Sequence, residues 1–295
     1  MASIRPHDLP SPPPRPAESQ KFDYGRVVVV GGSAGMAGAP ALSAMAALRS
    51  GAGLVELLVP EAVAAIAAGF DPCVMTLGLA SAEGGFAAAA AGEILARAAR
   101  ADAVACGPGL GRSAAAGHIA RTLWRECPKP CVFDADSLFA IASESAASLA
   151  FHAGPRILTP HEGEMRRLLH RDDRPPRNDL ERLAREFAAA TGSIVLLKGP
   201  RTLVASADAT AHNTNGNPGM ATAGAGDVLT GVVAALVAQK LPPFDAARLA
   251  AWIHGRAGDL AAEAVGQVSL VATDILHSLP AAFREISPPR AAPSA

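Results

Sequence analysis

The chain has 295 residues, is 50% hydrophobic, 18% charged and 4% aromatic, and carries a formal net charge of -1. That length supports one large core or two small ones, and the near-neutral balance leaves no basic footprint for nucleic acid. No apolar run reaches the roughly 18 uninterrupted residues of a membrane span, and the N-terminus lacks the apolar centre of a signal peptide. Cys73, Cys106, Cys127 and Cys131 include no CxxC pair and read as buried thiols of a reducing, cytoplasmic compartment. A small molecule is the expected partner.

Residues 1–24 are Pro-rich and polar and read as a disordered arm, and 288–295 as a flexible tail. From Arg26 onward strands and helices alternate. Arg26 to Val30 is a β-branched run closed by Gly31 and Gly32; Ala41 to Ser50 is helical. Leu54 to Val59 is a strand, Glu61 to Ala68 a helix, Val74 to Leu77 a strand and Phe86 to Arg100 an Ala-rich helix. The strand Ala103 to Cys106 runs into GPGLG, followed by a helix over Ala114 to Glu126 and the strand Cys131 to Phe133, which ends in DADSL. After the strand Arg156 to Leu158 comes TPHEGE and a helix, then a charged loop and a helix to about Ala190. Ile194 to Lys198 and Thr202 to Ser206 read as strands, Gly226 to Gln239 as a long helix and Phe244 to Val265 as a last helical region. Wholly apolar strands alternating with helices predict an α/β fold: a mostly parallel sheet covered on both faces, in one domain over 25–287. Ligands in such folds bind beyond the carboxyl ends of the strands, so the segments after each strand hold the candidates.

Two glycine runs stand out. GGSAGMAGAP, after the first strand, has neither the lysine of a P-loop nor the spacing of GxGxxG. In TAGAGD, Gly224, Ala225 and Gly226 lead into a helix, where free N–H groups and the macrodipole favour an anion. Asp227 then serves either as a cap of its own helix or as a base beside a transferring phosphoryl group. In TPHEGE, Thr159, Pro160 and Glu162 satisfy a capping box, which leaves His161 and Glu164 for ligand contact or, less simply, a metal. Asp134 and Asp136 follow a strand, where carboxylates hold an Mg²⁺–water shell or cap a helix. Lys198 ends a strand and either meets a phosphate or is solvated.

Taken together, GGSAGMAGAPALSAMAALRSGAGLVELLVP, DAVACGPGLGRS, VFDADSL, ILTPHEGEMRRLL, VLLKGPRT and NTNGNPGMATAGAGDVLTGVVAALVAQ occur in an order that resembles the NAD(P)H-hydrate dehydratase family, from about Gly25 to Leu279. The resemblance implies a ribokinase-like three-layer sandwich. It implies a repair lyase that converts hydrated NADH or NADPH back to NAD(P)H with ADP or ATP as co-substrate, and a homotetramer. Carried over by position, Asp227 is similar to the family's base, and Ala39, Gly109 and His161 to its hydrate contacts. Lys198, Gly199, Pro200, Arg201, Thr202 and Gly226 are similar to its nucleotide contacts; Asn215 and Asn217 are expected to position phosphates or metal. The family usually reads TGGTGD, so Ala223 replaces a Gly and Ala225 a Thr. Many relatives carry a fused epimerase domain, for which this chain leaves no room, so a separate epimerase is expected. A small-molecule kinase of the same fold and a non-catalytic nucleotide-binding protein are the alternatives.

Overall fold

The computed structural model describes residues 8–286. Its main sheet has nine strands: β1 (Arg26–Val30), β2 (Leu54–Pro60), β3 (Met75–Leu79), β6 (Ala103–Cys106), β7 (Cys131–Phe133), β8 (Arg156–Leu158), β9 (Ile194–Leu197), β10 (Thr202–Ala205) and β11 (Thr210–Asn213). They lie in the order β11-β10-β9-β8-β7-β6-β1-β2-β3. All neighbours from β3 to β9 pair in parallel, while β10 and β11 close that end antiparallel. A two-residue hairpin, β4 (Ser81–Ala82) and β5 (Gly85–Phe86), takes the start of the expected Phe86 helix. The helix there, α3, spans Ala90–Ala98.

The central strands β1, β6, β7 and β9 are wholly or almost wholly apolar because both faces are covered. Along β1, Val27 and Val29 enter one core while Val28 and Val30 enter the other. The first core is closed by α1 (Gly38–Arg49), α2 (Glu61–Ala68), α9 (Ala225–Ala238), α10 (Pro243–Val265) and α11 (Ala272–Ile286). The second is closed by α3, α4 (Ala114–Glu126), α5 (Asp136–Ile141), α6 (Ala146–Leu149), α7 (Glu162–Leu168) and α8 (Arg177–Thr191). The result is the expected three-layer α/β sandwich.

Helix α9 is apolar on nearly every side and lies in the middle of its layer. It sits close on α1: a methyl at Gly231 would lie 2.1 Å from the Ser43 carbonyl oxygen. The Ser43 hydroxyl donates to the Asp227 carbonyl at 2.7 Å, so the packing that buries α9 also fixes its first turn. Residues 8–24, part of the segment read as an arm, run along the body. Tyr24 is buried under the Arg15 guanidinium, which also donates to the Gly51 carbonyl, and Arg248 donates to the Asp8 carbonyl at 2.8 Å. Residues 1–7 and the expected tail lie outside the described residues.

Candidate active site

The loops following β1, β6, β7, β8 and β9 gather at the carboxyl ends of the strands, opposite the first turn of α9. The first glycine run and GPGLG form one wall. Gly32 donates to the Pro108 carbonyl at 3.0 Å and the Ser33 hydroxyl to the Gly109 carbonyl at 2.9 Å. Gly109 has φ +60°, and a methyl there would lie 2.6 Å from the Met36 carbonyl oxygen and 3.3 Å from the Ala39 Cβ. Ala39 and Gly109, far apart in the chain, are therefore neighbours.

At α9, Gly224 adopts a left-handed φ of 89° as the N-cap, and Ala225, Gly226 and Asp227 form the first turn. The early N–H groups of a helix have no intrahelical acceptor, so this end presents donors to an anion. His254 of α10 steadies it from behind. Its Nε2–H donates to the Ala225 carbonyl at 2.9 Å, and burial pushes the imidazole down to about 4, so it stays neutral. Ala223 is absent from the left-handed residues of the described chain, so the extra Cβ there meets no backbone penalty.

Five polar side chains converge beside that turn. Asp134, 1% exposed, accepts from Lys198 Nζ at 2.8 Å through Oδ1 and from the Thr230 hydroxyl at 2.8 Å through Oδ2. Lys198 Nζ also lies 3.8 Å from Glu164 Oε2. A methyl at Gly226 would lie 3.2 Å from Lys198 Nζ and 3.6 Å from Asp134 Oδ2, so Gly226 leaves room for this ion pair at the helix end. Burial pushes the Asp227 carboxyl up to about 7, reinforced by the nearby Asp134 charge and opposed by Lys198. Burial likewise takes Glu164 up to about 6. Burial works against the Lys198 ammonium, but Asp134 and Glu164 outweigh it and hold it above the usual lysine value.

His161 lies one strand away, with a different helix register from the expected one. It is itself the N-cap of α7, its Nδ1 accepting from Gly163 and Glu164 N–H at 3.0 and 3.3 Å, and Glu164 closes the capping box by accepting from the His161 N–H at 2.8 Å. The box expected at Thr159 and Glu162 gives way because the strand continues: Thr159 N–H still bonds Phe133 at 3.1 Å, and the Pro160 carbonyl accepts from Lys198 N–H at 2.8 Å. Nδ1 as acceptor places the proton of this neutral ring on Nε2, and burial holds its basicity down. Nε2 lies 3.4 Å from Glu164 Oε1, on a ring whose outer edge is open to solvent.

The strip from Lys198 to Thr202 is held by Arg177. Its guanidinium donates to the carbonyls of Leu197, Lys198 and Arg201 at 3.2, 3.1 and 2.9 Å and pairs with Glu181 at 3.1 Å. A methyl at Gly199 would lie 2.8 Å from Arg177 Nη1. Pro200 and Arg201 make the exposed crest of the turn, and the Thr202 hydroxyl donates back to Gly199 at 3.1 Å. Asn215 and Asn217 are engaged elsewhere. Asn215 Nδ2 donates to the Trp252 carbonyl at 2.8 Å and Asn217 Nδ2 to Gly258 at 2.9 Å, while Asn217 Oδ1 accepts from Gly219 N–H at 3.0 Å. These amides anchor the NTNGNPG loop to α10.

The Mg²⁺ shell expected at Asp134 and Asp136 is not what their oxygens serve. Asp134 is taken up by Lys198 and Thr230, and Asp136 accepts from Gly111 N–H and Arg112 Nε, each at 3.0 Å. Among the described residues no group of three or more His, Cys, Asp or Glu is arranged to hold a metal ion. The residues present do not fit a cation held directly by these carboxylates.

A family model described as NAD(P)H-hydrate dehydratase matches residues 27–281, a span that contains all of these site residues. The chain belongs to the NAD(P)H-hydrate dehydratase family. It is 43% identical over 276 residues to the bifunctional NAD(P)H-hydrate repair enzyme Nnr of Moorella thermoacetica, covering 93% of this chain and 52% of that protein; it thus spans about half the length of that curated relative. It is 39% identical over 258 residues to the ADP-dependent (S)-NAD(P)H-hydrate dehydratase of Neisseria meningitidis, covering 85% of this chain and 82% of that one. Among solved structures, the ADP/ATP-dependent NAD(P)H-hydrate dehydratase of Bacillus subtilis, co-crystallized with ATP/Mg²⁺, superposes with a TM-score of 0.78 at 27% identity, covering 94% of this chain and 95% of that one. The architecture is ribokinase-like.

For this NAD(P)H-hydrate dehydratase family member, the sequence pointed to Asp227, Gly226 and Lys198, which do come together, and to Ala39 and Gly109, which share the opposite wall. Thr230, His254 and Arg177 were not singled out. Thr230 had a visible signal, since it lies three residues after Asp227 on the same side of a helix. His254 and Arg177 act through backbone carbonyls distant in sequence, and nothing local marks them.

Proposed function

We propose that this chain restores NADH or NADPH from the hydrated coenzyme, using ADP or ATP as phosphoryl donor. Asp227 takes the proton of the C6 hydroxyl. The resulting oxygen attacks the terminal phosphorus of the nucleotide; an O–P bond forms at C6 and the bond to the departing AMP or ADP breaks. The ring nitrogen lone pair then expels phosphate from C6, and loss of the C5 proton restores the C5=C6 double bond. A hydroxyl leaves poorly and a phosphate well, which is why a kinase-like site serves an elimination.

The observation that carries this reading is the geometry of the first turn of α9, where Asp227 follows Gly224–Gly226 and the Lys198–Asp134 ion pair lies against Gly226; burial there pushes the Asp227 carboxyl up to about 7. A base with that affinity is matched to neutral pH, and charge developing on the phosphoryl oxygens meets preorganised donors. The Ala39–Gly109 wall and the His161 Nε2–H would contact the hydrate, and the Arg177-held strip would contact the adenylate. ADP is the donor this reading favours, in line with the name of the Neisseria relative, and Mg²⁺ would arrive with the nucleotide. A cytoplasmic homotetramer completes the proposal.

The test is recovery of near-ultraviolet absorbance from purified NADH-hydrate, with ADP and ATP tried separately in the presence of Mg²⁺. Recovery with one nucleotide supports the reaction and names the donor. A stable phosphoester product would make the chain a kinase instead. Folded protein that binds adenylate yet restores nothing would mark it as a nucleotide-binding protein.

A further inference from the structure

We propose that Asp134 is a positioning residue for this reaction: it locks the Lys198 ammonium against the first turn of α9 and tunes the base Asp227 through its own charge. The proposal rests on the functional reading above only in naming Asp227 as the base. Its foundation is geometry. Asp134 is 1% exposed, and its two oxygens each have one protein donor, Lys198 Nζ and the Thr230 hydroxyl, both at 2.8 Å. Thr230 belongs to α9 itself and lies one turn after Asp227. Asp134 therefore ties the strand-end lysine to the helix that carries the base.

The same tie makes residue 226 a close neighbour of the ion pair. A Cβ there would come within 3.2 Å of the ammonium and 3.6 Å of the carboxylate. The Lys198 positive end thus lies beside the first turn of α9, where it would face a transferring phosphoryl group held at the helix end.

Asp227 feels charges from every neighbouring element. Asp134 follows β7, Asp136 begins α5, Glu164 is on α7 and Lys198 follows β9; the neutral His254 of α10 backs the turn. Burial is the largest influence raising Asp227, and Asp134 is the largest of the charges doing so. Removing that negative charge while leaving the ammonium in place must make Asp227 more acidic.

Asp134→Asn keeps the shape and removes the charge. The acidic limb of kcat/KM is expected to move to lower pH by about one unit, with kcat at its plateau reduced because a weaker base remains. A merely structural role would lower activity without moving the limb. Carboxyl ¹³C titration of aspartate-labelled, nucleotide-free protein gives a readout independent of turnover, with the Asp227 signal identified by its loss in Asp227→Asn. The Asp227 midpoint should fall in parallel. An unmoved limb and an unmoved midpoint in folded Asp134→Asn would overturn the proposal. If Asp134→Asn does not fold, Asp134→Ser removes the same charge while keeping a small polar group beside Lys198 and Thr230; the Asp227 midpoint should again fall, and an unmoved midpoint would overturn the proposal. Wild-type protein inactive with both nucleotides would defeat the repair reaction, while the ¹³C titration would still decide the role of Asp134.

Discussion

Replacing Asp227 by Asn should make the protein less active and more stable at the same time. The Asp227 carboxyl is held at about 7 against an ordinary 3.8, so the folded state binds its proton more tightly than the unfolded chain does. The associated stability is fully present below pH 3.8 and is lost as pH rises through about 7. At ~1.36 kcal/mol for each tenfold change in affinity, the loss at pH 8 has a ceiling of about 4 kcal/mol; because the site opens to solvent, screening reduces it to about 1–2 kcal/mol. Asn carries no charge at either pH. Urea unfolding at pH 4.5 and pH 8 should therefore show the variant gaining on the wild type by about 1–2 kcal/mol at the higher pH, or a melting temperature some 2–8 °C higher. Turnover of the hydrate should fall by about 10²–10⁴-fold. A stability difference that stays constant between the two pH values would refute the perturbed carboxyl, and undiminished turnover would refute the base.

Gly226→Ala should keep or slightly raise the melting temperature, since Ala favours a helix by about 1 kcal/mol over Gly. Yet the new methyl, 3.2 Å from Lys198 Nζ, displaces the ammonium and should reduce kcat about tenfold or more; unchanged kcat would mean that the ammonium position does not matter. Arg177→Ala frees the carbonyls of Leu197, Lys198 and Arg201 and should raise the nucleotide KM about tenfold with kcat largely kept. A loss confined to kcat would contradict a strip that serves binding.

The parallel sheet was legible because strands buried on both faces must be largely apolar, and Gly, Pro or Asp stands within two residues of the end of these runs. Strand β11 escaped notice because its sequence, Thr-Ala-His-Asn, is polar. Helix α11 escaped because Pro280 lies inside it and a Pro-rich tail follows; one missing N–H is tolerated where Ile275, Leu276 and Leu279 are buried. TPHEGEM admitted two capping boxes in sequence, Thr159 with Glu162 and His161 with Glu164. Pairing across β7, β8 and β9 chose the second, and no local pattern encodes that choice. The same division holds at the site. Asp227 and its glycines form a continuous string and could be read directly. The bond between Thr230 and Asp134 spans 96 residues, and only the fold creates it. The bonds of Asn215 and Asn217 to the Trp252 and Gly258 carbonyls likewise come only from the close approach of α10.

A site for phosphates lined with carboxylates needs a physical account. Asp134 and Asp136 are matched by donors within the protein. Glu164 and Asp227, held at about 6 and about 7, are the groups whose charge varies near neutrality. An incoming phosphate adds negative charge beside both, so it must raise their proton affinity further. Nucleotide binding and proton uptake are then linked: calorimetry of ADP binding at pH 7.5, in buffers of different ionisation enthalpy, should show net uptake of a fraction of a proton, and affinity should weaken as pH rises through about 7. Asp227→Asn should abolish most of that uptake. Binding with no proton exchange in the wild type would show that the two carboxyls do not sense the phosphate. With the linkage in place, the nucleotide strengthens the base at the moment the hydroxyl must be deprotonated, so the co-substrate prepares the group that uses it.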